Sequence, residues 1–372
     1  MKPRNPVLLL LVVAAIAACA WGDFLGIAPN RLVSGTPMAV WEGGTLETPC
    51  LAAIAIVLLA CSFARNTRAI SAVVLALAVS ALLFLIFDAG AMARHIMDAA
   101  SPATRVSLGW AFWAVAFCLA MIVIDTLHHS ERQRFATVIG IAVIFGAIIA
   151  MAFAGQFDAL SLAREYAARH EEFARELARH CMLVLVAVGL ALVIGAPLGL
   201  WAARRRRAGD AIFSTLNLLQ TIPSVALFGL LIAPLSALGF GGIGIVPAII
   251  ALVLYSLLPI ARNVTAGIAG IEPAVIDAAA GMGMTRQQIL WRIEIPLGMP
   301  VFLAGLRIVT VQAIGLTVVA ALIGAGGLGS FVFQGIGQYA TDLVLLGALP
   351  TIAQNAPRGI VKVRSLTVSW LA

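Results

Sequence analysis

The residues of this chain whose types and spacing could do work crowd into one run, "DAAAGMGMTRQQILWRIEIP", from Asp277 to Pro296. Pro273, just after Glu272, is a good first helical residue, so a short helix is predicted through "AVIDAAA". Gly281 and Gly283 end it. Thr285 can cap a second helix, and Gln288 three residues later completes a capping-box pattern. "RQQILWRIEI" should extend that helix until Pro296 stops it. The chemistry on offer is docking. Small residues (Ala278, Ala279, Ala280) alternate with apolar ones (Met282, Met284, Ile289, Leu290), a mix suited to a groove on another protein. The plain alternative is an amphipathic re-entry loop.

Bond-making chemistry finds little support. His128 and His129 are adjacent, so their rings leave a helix in different directions, which favours a polar loop end over a metal site. Cys19, Cys50, Cys61, Cys118 and Cys181 lack metal-like spacing and read as small hydrophobes. A membrane enzyme built on the polar groups of 128–134 or 158–180 would need converging acids. Asp88 and Asp125 fall at span ends on opposite membrane faces. No G-x-x-x-x-G-K-[ST] run exists, and neither Lys2 nor Lys362 follows a glycine-rich loop, so ATP is not cradled here. No cofactor is expected in this chain. No set of aromatics reads as a cage for a quaternary ammonium.

The elements that must position the loop are membrane helices. The chain has 372 residues, of which 62% are hydrophobic and 11% charged, against about 25% charged in soluble domains. The fold class is an all-α polytopic membrane protein of nine or ten spans. The apolar segments fall near 7–22, 49–64, 69–88, 107–126, 136–154, 181–202, 211–234, 245–262, 298–322 and, short, 342–354. The period-2 alternation of a β-barrel is absent. With the N-terminus inside, 16 of the 24 Lys and Arg fall on inner loops and 7 on outer ones. The net charge of +7 therefore reflects the orientation rule and not nucleic-acid binding. The N-terminal run could pass for a signal peptide, with "IAAC" loosely lipobox-like, but an uncleaved first span is expected because more spans follow at once.

Residues 1–155 form a front region of about five spans with no phrase suggesting chemistry. Residues 156–180 are different in kind. "DALSLAREYAARHEEFARELARH" is Ala-rich, pairs Glu171 with Arg175, and could align Leu162, Tyr166, Phe173 and Leu177 on one stripe. It reads either as an amphipathic helix on the outer face or as a solvated connector. Residues 181–354 are rich in Gly, Pro, Asn and Gln at membrane depth, where such residues line a protein interior or a pathway. That argues against a passive scaffold. Gln220, Pro223, Ser224, Tyr255 and Asn263 are the pathway candidates. For "QTIPS" the kink at Pro223 is expected in any case, with a pathway role an even alternative. Arg307 is expected to snorkel from its span and not to bind substrate. Gly324, Gly326, Gly327 and Gly329 read as a tight outer turn, either a plain loop or a meeting point for a soluble binding protein.

The run 277–296 resembles the EAA signature of ABC importer permeases, E-A-A-x3-G-x9-I-x-L-P. Asp277, Ala278, Ala279, Gly283, Ile293 and Pro296 fall on it, with Asp for Glu and Ile295 for Leu. "LNLLQTIPSVALFGLLIAPL", "LYSLLPIARNVTAGI" and "AALIGAGGLGSFVFQGI" are similar to the glycine betaine, choline and carnitine (osmoprotectant) branch. The likeness covers roughly 181–350, and the extra front spans resemble a longer subgroup. It implies a type I importer permease core in the C-terminal half, in a bacterial inner membrane, with loop 272–296 seated in cytoplasmic ATPase subunits that bind the ATP and its Mg. It also implies a periplasmic substrate-binding protein, a second permease copy or paralogue, and alternating access driven by ATP. An importer for another small solute, such as an amino acid, shares the EAA loop and is the alternative. One departure stands out. The family ends in a long apolar span, whereas here "DLVLLGALP" gives way to a polar, basic tail at 355–372, expected to be divergent, frameshifted or truncated.

Overall fold

A computed structural model describes residues 4–355 apart from 31–32, 34, 44–46, 66, 102 and 129–133. His129, Arg132 and the tail from 356 onward therefore lie outside the described residues. The chain divides into two compact units, 1–168 with 338–342, and 169–337 with 343–372.

The first unit opens with α1 (Pro6–Trp21), whose Asn5 cap accepts from the Leu8 N–H at 3.0 Å while Pro6 occupies the first turn. A hairpin follows, β1 (Leu25–Ala28) and β2 (Thr36–Met38), then α2 (Glu47–Phe63), α3 (Arg68–Ala99), β3 (Arg105–Leu108), α4 (Trp110–His128) and α5 (Arg134–Phe153). Leu8, Val12, Ala78, Leu85, Met92, Leu119 and Ile122 form the core. The three strands form an antiparallel sheet in the order β2-β1-β3, with Leu25 opposite both Met38 and Leu108. The sequence reading contained no strand. Gly109 lies against the Asp23 carbonyl so closely that a Cβ would strike it, and there only glycine fits. The helix expected over 69–88 runs on to Ala99, and α6 begins after a turn in which Gln156 Nε2 donates to the Phe87 carbonyl at 2.9 Å.

The second unit holds α6 (Ser161–Arg204) from residue 169 on, α7 (Arg206–Thr221), α8 (Ser224–Ala237), α9 (Ile245–Ala269), α10 (Pro273–Gly281), α11 (Arg286–Ile289), α12 (Ile295–Ala320), α13 (Gly329–Gly337) and most of α14 (Thr341–Asn355). At its centre is α9, where Ala248, Ala251, Leu252 and Ala261 have no exposed surface. Small residues let its neighbours come close. Gly199 of α6 faces the Ala261 carbonyl, and the backbones of Gly267 and Gly298 meet, a Cβ on Gly267 falling 2.9 Å from the Gly298 oxygen.

Among the described residues, five helices are long and apolar enough to cross a bilayer, and a sixth if the bent pair Arg207–Thr221 and Ser224–Ala237 counts as one. Pro6–Trp21, Pro49–Phe63, Ala142–Phe153 and Thr341–Gln354 are shorter apolar helices. Each expected apolar segment is thus helical, and the fold is the expected helical one with a small sheet added. Three boundaries differ. The segment expected as one span at 211–234 breaks by 100° between Thr221 and Ser224. Residues 170–180 do not form a separate element: past a break at Arg169 (φ −132°, ψ 21°), one helix runs on to Arg204. The third difference lies in the candidate loop itself.

Candidate functional site

The loop folds from local rules. α10 starts on Pro273 and ends where Met282 N–H and Gly283 N–H donate to the carbonyls of Ala278 and Ala280, both at 3.0 Å. Gly283 takes φ +82°, a left-handed turn that favours glycine, and a Cβ there would meet nothing within 4 Å. The capping box closes both ways: Gln288 N–H donates to Thr285 Oγ1 at 3.3 Å, and Thr285 N–H to Gln288 Oε1 at 2.8 Å. Ala279 and Ile289, one on each short helix, are buried, while Asp277, Ala278, Gly283 and Met282 face outward, Met282 being 75% exposed. Ile293 is half-buried and Pro296 exposed.

Pro296 does not stop the helix. A π-turn at Leu290–Glu294 carries α11 into α12, with Ile295 N–H reaching the Leu290 carbonyl five residues back. Proline lacks an N–H, and the widened turn removes the need for one there. The continuous helix that holds the apolar segment expected at 298–322 therefore starts earlier, at Arg286.

An ion pair joins this turn to the end of α6. Arg204 Nη2 donates to Glu294 Oε2 at 2.8 Å, and the Glu294 side chain is only 14% exposed. In the sequence Arg204 is only one of the 16 inner-loop basic residues, and nothing there singles out Glu294. At the same end Arg262 donates to Asn217 Oδ1 at 2.9 Å and lies over the Phe213 ring, 6.0 Å from its centre. Nearby, a cleft of about 340 Å³ is lined by Pro197, Gly267, Trp291, Glu294 and Gly298, among others.

The five pathway candidates fall into two groups. At the break between α7 and α8, Gln220 Nε2 donates to the Tyr255 carbonyl at 2.9 Å, and the Tyr255 hydroxyl donates to the Ile222 carbonyl. The Ile222 carbonyl is left without a helical partner by the break, and the Tyr255 carbonyl by Pro259 four residues on in α9, which has no N–H to give. Pro223 caps α8 and Ser224 is its first residue. Tyr255 is buried. Asn263, about 12 Å further along α9, donates from Nδ2 to the Pro259 carbonyl at 2.7 Å and fills the space left by Gly305 of α12. Arg307 is exposed on α12.

At the other end of this unit the glycine turn is left-handed at Gly324, Gly326 and Gly327, with φ of +76°, +76° and +87°. It is held by α6. Glu176 accepts the Gly327 N–H and pairs with Arg179 at 3.8 Å, while Phe173 packs on Phe331, ring centres 6.1 Å apart. The pairs formed by this stretch are Arg169–Glu172 and Glu176–Arg179, in place of the expected Glu171–Arg175. His180, fully buried beside Gly327, has no hydrogen-bond partner on either ring nitrogen among the described residues. No cluster of three metal-ligating side chains occurs among the described residues.

The sequence matches two family models. Residues 3–163 match the one described as ABC transporter permease YehY, N-terminal domain, and residues 195–361 match the binding-protein-dependent transport system inner membrane component. The osmoprotectant import permease protein OsmW of Salmonella typhimurium is 44% identical over 171 residues, which are 46% of this chain and 79% of that protein. The glycine betaine/carnitine/choline transport system permease protein OpuCD of Bacillus subtilis is 37% identical over 198 residues, 53% of this chain and 81% of that protein. Among solved structures, an inward-facing form of the MetNI methionine ABC transporter is 26% identical and covers 51% of this chain and 95% of that one, at a TM-score of 0.43, too low to bear on the fold. The capped helix pair, the broken span and these matches agree: the chain belongs to the binding-protein-dependent ABC importer permeases, in the branch of those osmoprotectant permeases, with an added N-terminal domain.

Proposed function

We propose that this permease subunit moves a small quaternary-ammonium osmoprotectant, of the glycine betaine or choline kind, inward across the bacterial inner membrane by alternating access. Substrate class rests on the relatives, whose names include osmoprotectant, choline and carnitine permeases. In this reading α10 and α11 face the cytoplasm and seat in an ATPase subunit. A soluble binding protein delivers the substrate at the glycine-turn end, and a second permease copy or paralogue completes the pathway. The excess of Lys and Arg on the loop side supports that orientation, with the N-terminus inside.

The observation that carries the coupling role is the loop's geometry. Two short helices are fixed by a capping box and a left-handed Gly283, and they present Asp277, Ala278 and Met282 outward. Among the described residues nothing in the unit covers these side chains, and their mix of small and flexible apolar groups suits a groove. Nucleotide-driven closure of two ATPase subunits would then bias the bundle between its two open states.

Gly283→Trp tests this. The side chain has room, so the protein should still reach the membrane, while ATPase association and uptake fall at least tenfold. Unchanged association and uptake would remove the coupling assignment. For the substrate, uptake of labelled glycine betaine into vesicles holding the whole transporter should exceed that of methionine. Methionine uptake without betaine uptake would overturn the substrate class.

A further inference from the structure

The two ends of the second unit are tied to one helix. At one end of α6, Glu176 accepts the N–H of Gly327 in the glycine turn. At the other, Arg204 grips Glu294 in the π-turn that leads out of the loop. Between Glu176 and Arg204 the helix has no residue with non-helical dihedrals. Twenty-eight residues of α-helix span about 42 Å, more than a bilayer's hydrocarbon core. Pro197 removes one backbone bond in this stretch, that to the Val193 carbonyl, but the helical dihedrals continue through it, so the helix still carries displacement along its axis.

We infer that α6 is a strut through which movement of loop 273–294 reaches the glycine turn, and that Arg204 and Glu294 are the positioning residues that fasten the loop to it. The pair's character fits such a role. Arg204 is about half exposed, so the contact adds little to folding stability. Its contribution is geometric: a short, charge-assisted bond to a nearly buried carboxylate fixes where the π-turn sits against α6. The π-turn is a single widened turn of helix, a form found frequently at functional sites, and the pair fixes its place against α6. Without the pair, α10 and α11 could be displaced by a partner while α6 stayed behind.

This inference rests on loop 273–294 being the ATPase contact. The test uses the complete transporter with its ATPase and binding protein in proteoliposomes, and it reads uptake per ATP hydrolysed. Arg204→Glu and Glu294→Arg should each lower that ratio at least tenfold while the ATPase stays bound. The double swap Arg204→Glu/Glu294→Arg should recover at least a third of it, which loss of a merely structural residue would not do. Should the single variants fail to reach the membrane, Arg204→Lys and Arg204→Gln replace them. Lys should keep more than half of the ratio and Gln less than a fifth. Single variants within twofold of the parent, a swap that assembles without recovery, or Lys and Gln behaving alike would each overturn the inference. Gly283→Trp is run alongside. If it uncouples while the swaps have no effect, the strut is wrong and the coupling loop stands. If Gly283→Trp has no effect either, the coupling reading itself has failed.

Discussion

The two units solve the same problem, helices in lipid, in opposite ways. In the first, no described helix carries a proline beyond its first turn, and polar pairing gathers outside the helices, in the three-stranded sheet and the Asn5 cap, with the buried Asp88 of α3 and the Gln156 bond to the Phe87 carbonyl as exceptions. In the second, prolines lie along the helices: Pro197, Pro234, Pro259 and Pro300 interrupt α6, α8, α9 and α12, and α7 breaks sharply from α8. At the α7–α8 break and at Pro259, side chains meet the freed carbonyls: Tyr255 donates to the Ile222 oxygen and Gln220 to the Tyr255 oxygen. The difference teaches where rearrangement is stored. A first unit of uninterrupted helices has one packing, whereas a second unit held by local mends can exchange one set for another.

Four substitutions and one control, Gly315→Leu, sharpen or break that contrast. The largest effect is expected from Gly305→Leu in the second unit, because Asn263 already occupies the place of a Cβ. Overpacking there should cost about 3 kcal/mol, seen as a lower midpoint in thermal unfolding of the detergent-solubilised protein. Gly315→Leu, with nothing within 4 Å of its Cβ, should shift the midpoint hardly at all. Tyr255→Phe removes the hydroxyl that holds the Ile222 carbonyl, and initial uptake rates should drop about tenfold, equivalent to about 1.4 kcal/mol. An unchanged rate would make the break a static feature. Gln156→Ala in the first unit deletes a bond to the Phe87 carbonyl and should cost about 1–2 kcal/mol of stability, with uptake per folded molecule within twofold of the parent. A uniform loss of uptake would erase the division of labour. Thr285→Ala is the mildest: loss of the cap should weaken the local helix by about 1 kcal/mol, read as faster amide exchange at Arg286–Ile289 without a change in the melting midpoint.

What the sequence disclosed follows from how far each interaction reaches along the chain. The apolar runs were plain because a bilayer imposes length and composition on any segment that spans it. The loop was plain as well, since its caps act over three or four residues: Pro273, Gly283, Thr285 and Gln288 sit where expected. Pro296 was misjudged because its effect depends on the turn before it, and a π-turn leaves no mark in hydrophobic periodicity. The sheet stayed hidden because β1 and β3 are four residues long and pair across about eighty residues. Arg204 and Glu294 could be joined only in space, ninety residues apart. Tyr255 and Gln220 were singled out as polar groups in an apolar setting, but the carbonyls they satisfy are free only because the chain breaks at Ile222 and because Pro259 follows Tyr255 by four residues.

The contact between Gly267 and Gly298 has one more consequence. These residues sit on α9 and α12, the two legs that enter and leave the loop. With both side chains reduced to hydrogen, the legs touch backbone to backbone just above the bend. A hairpin pinched at that point cannot splay when its tip is pressed. Force applied to the tip is turned into rotation of the pair as one body, so the loop behaves as the handle of a lever and the glycine contact as its rivet.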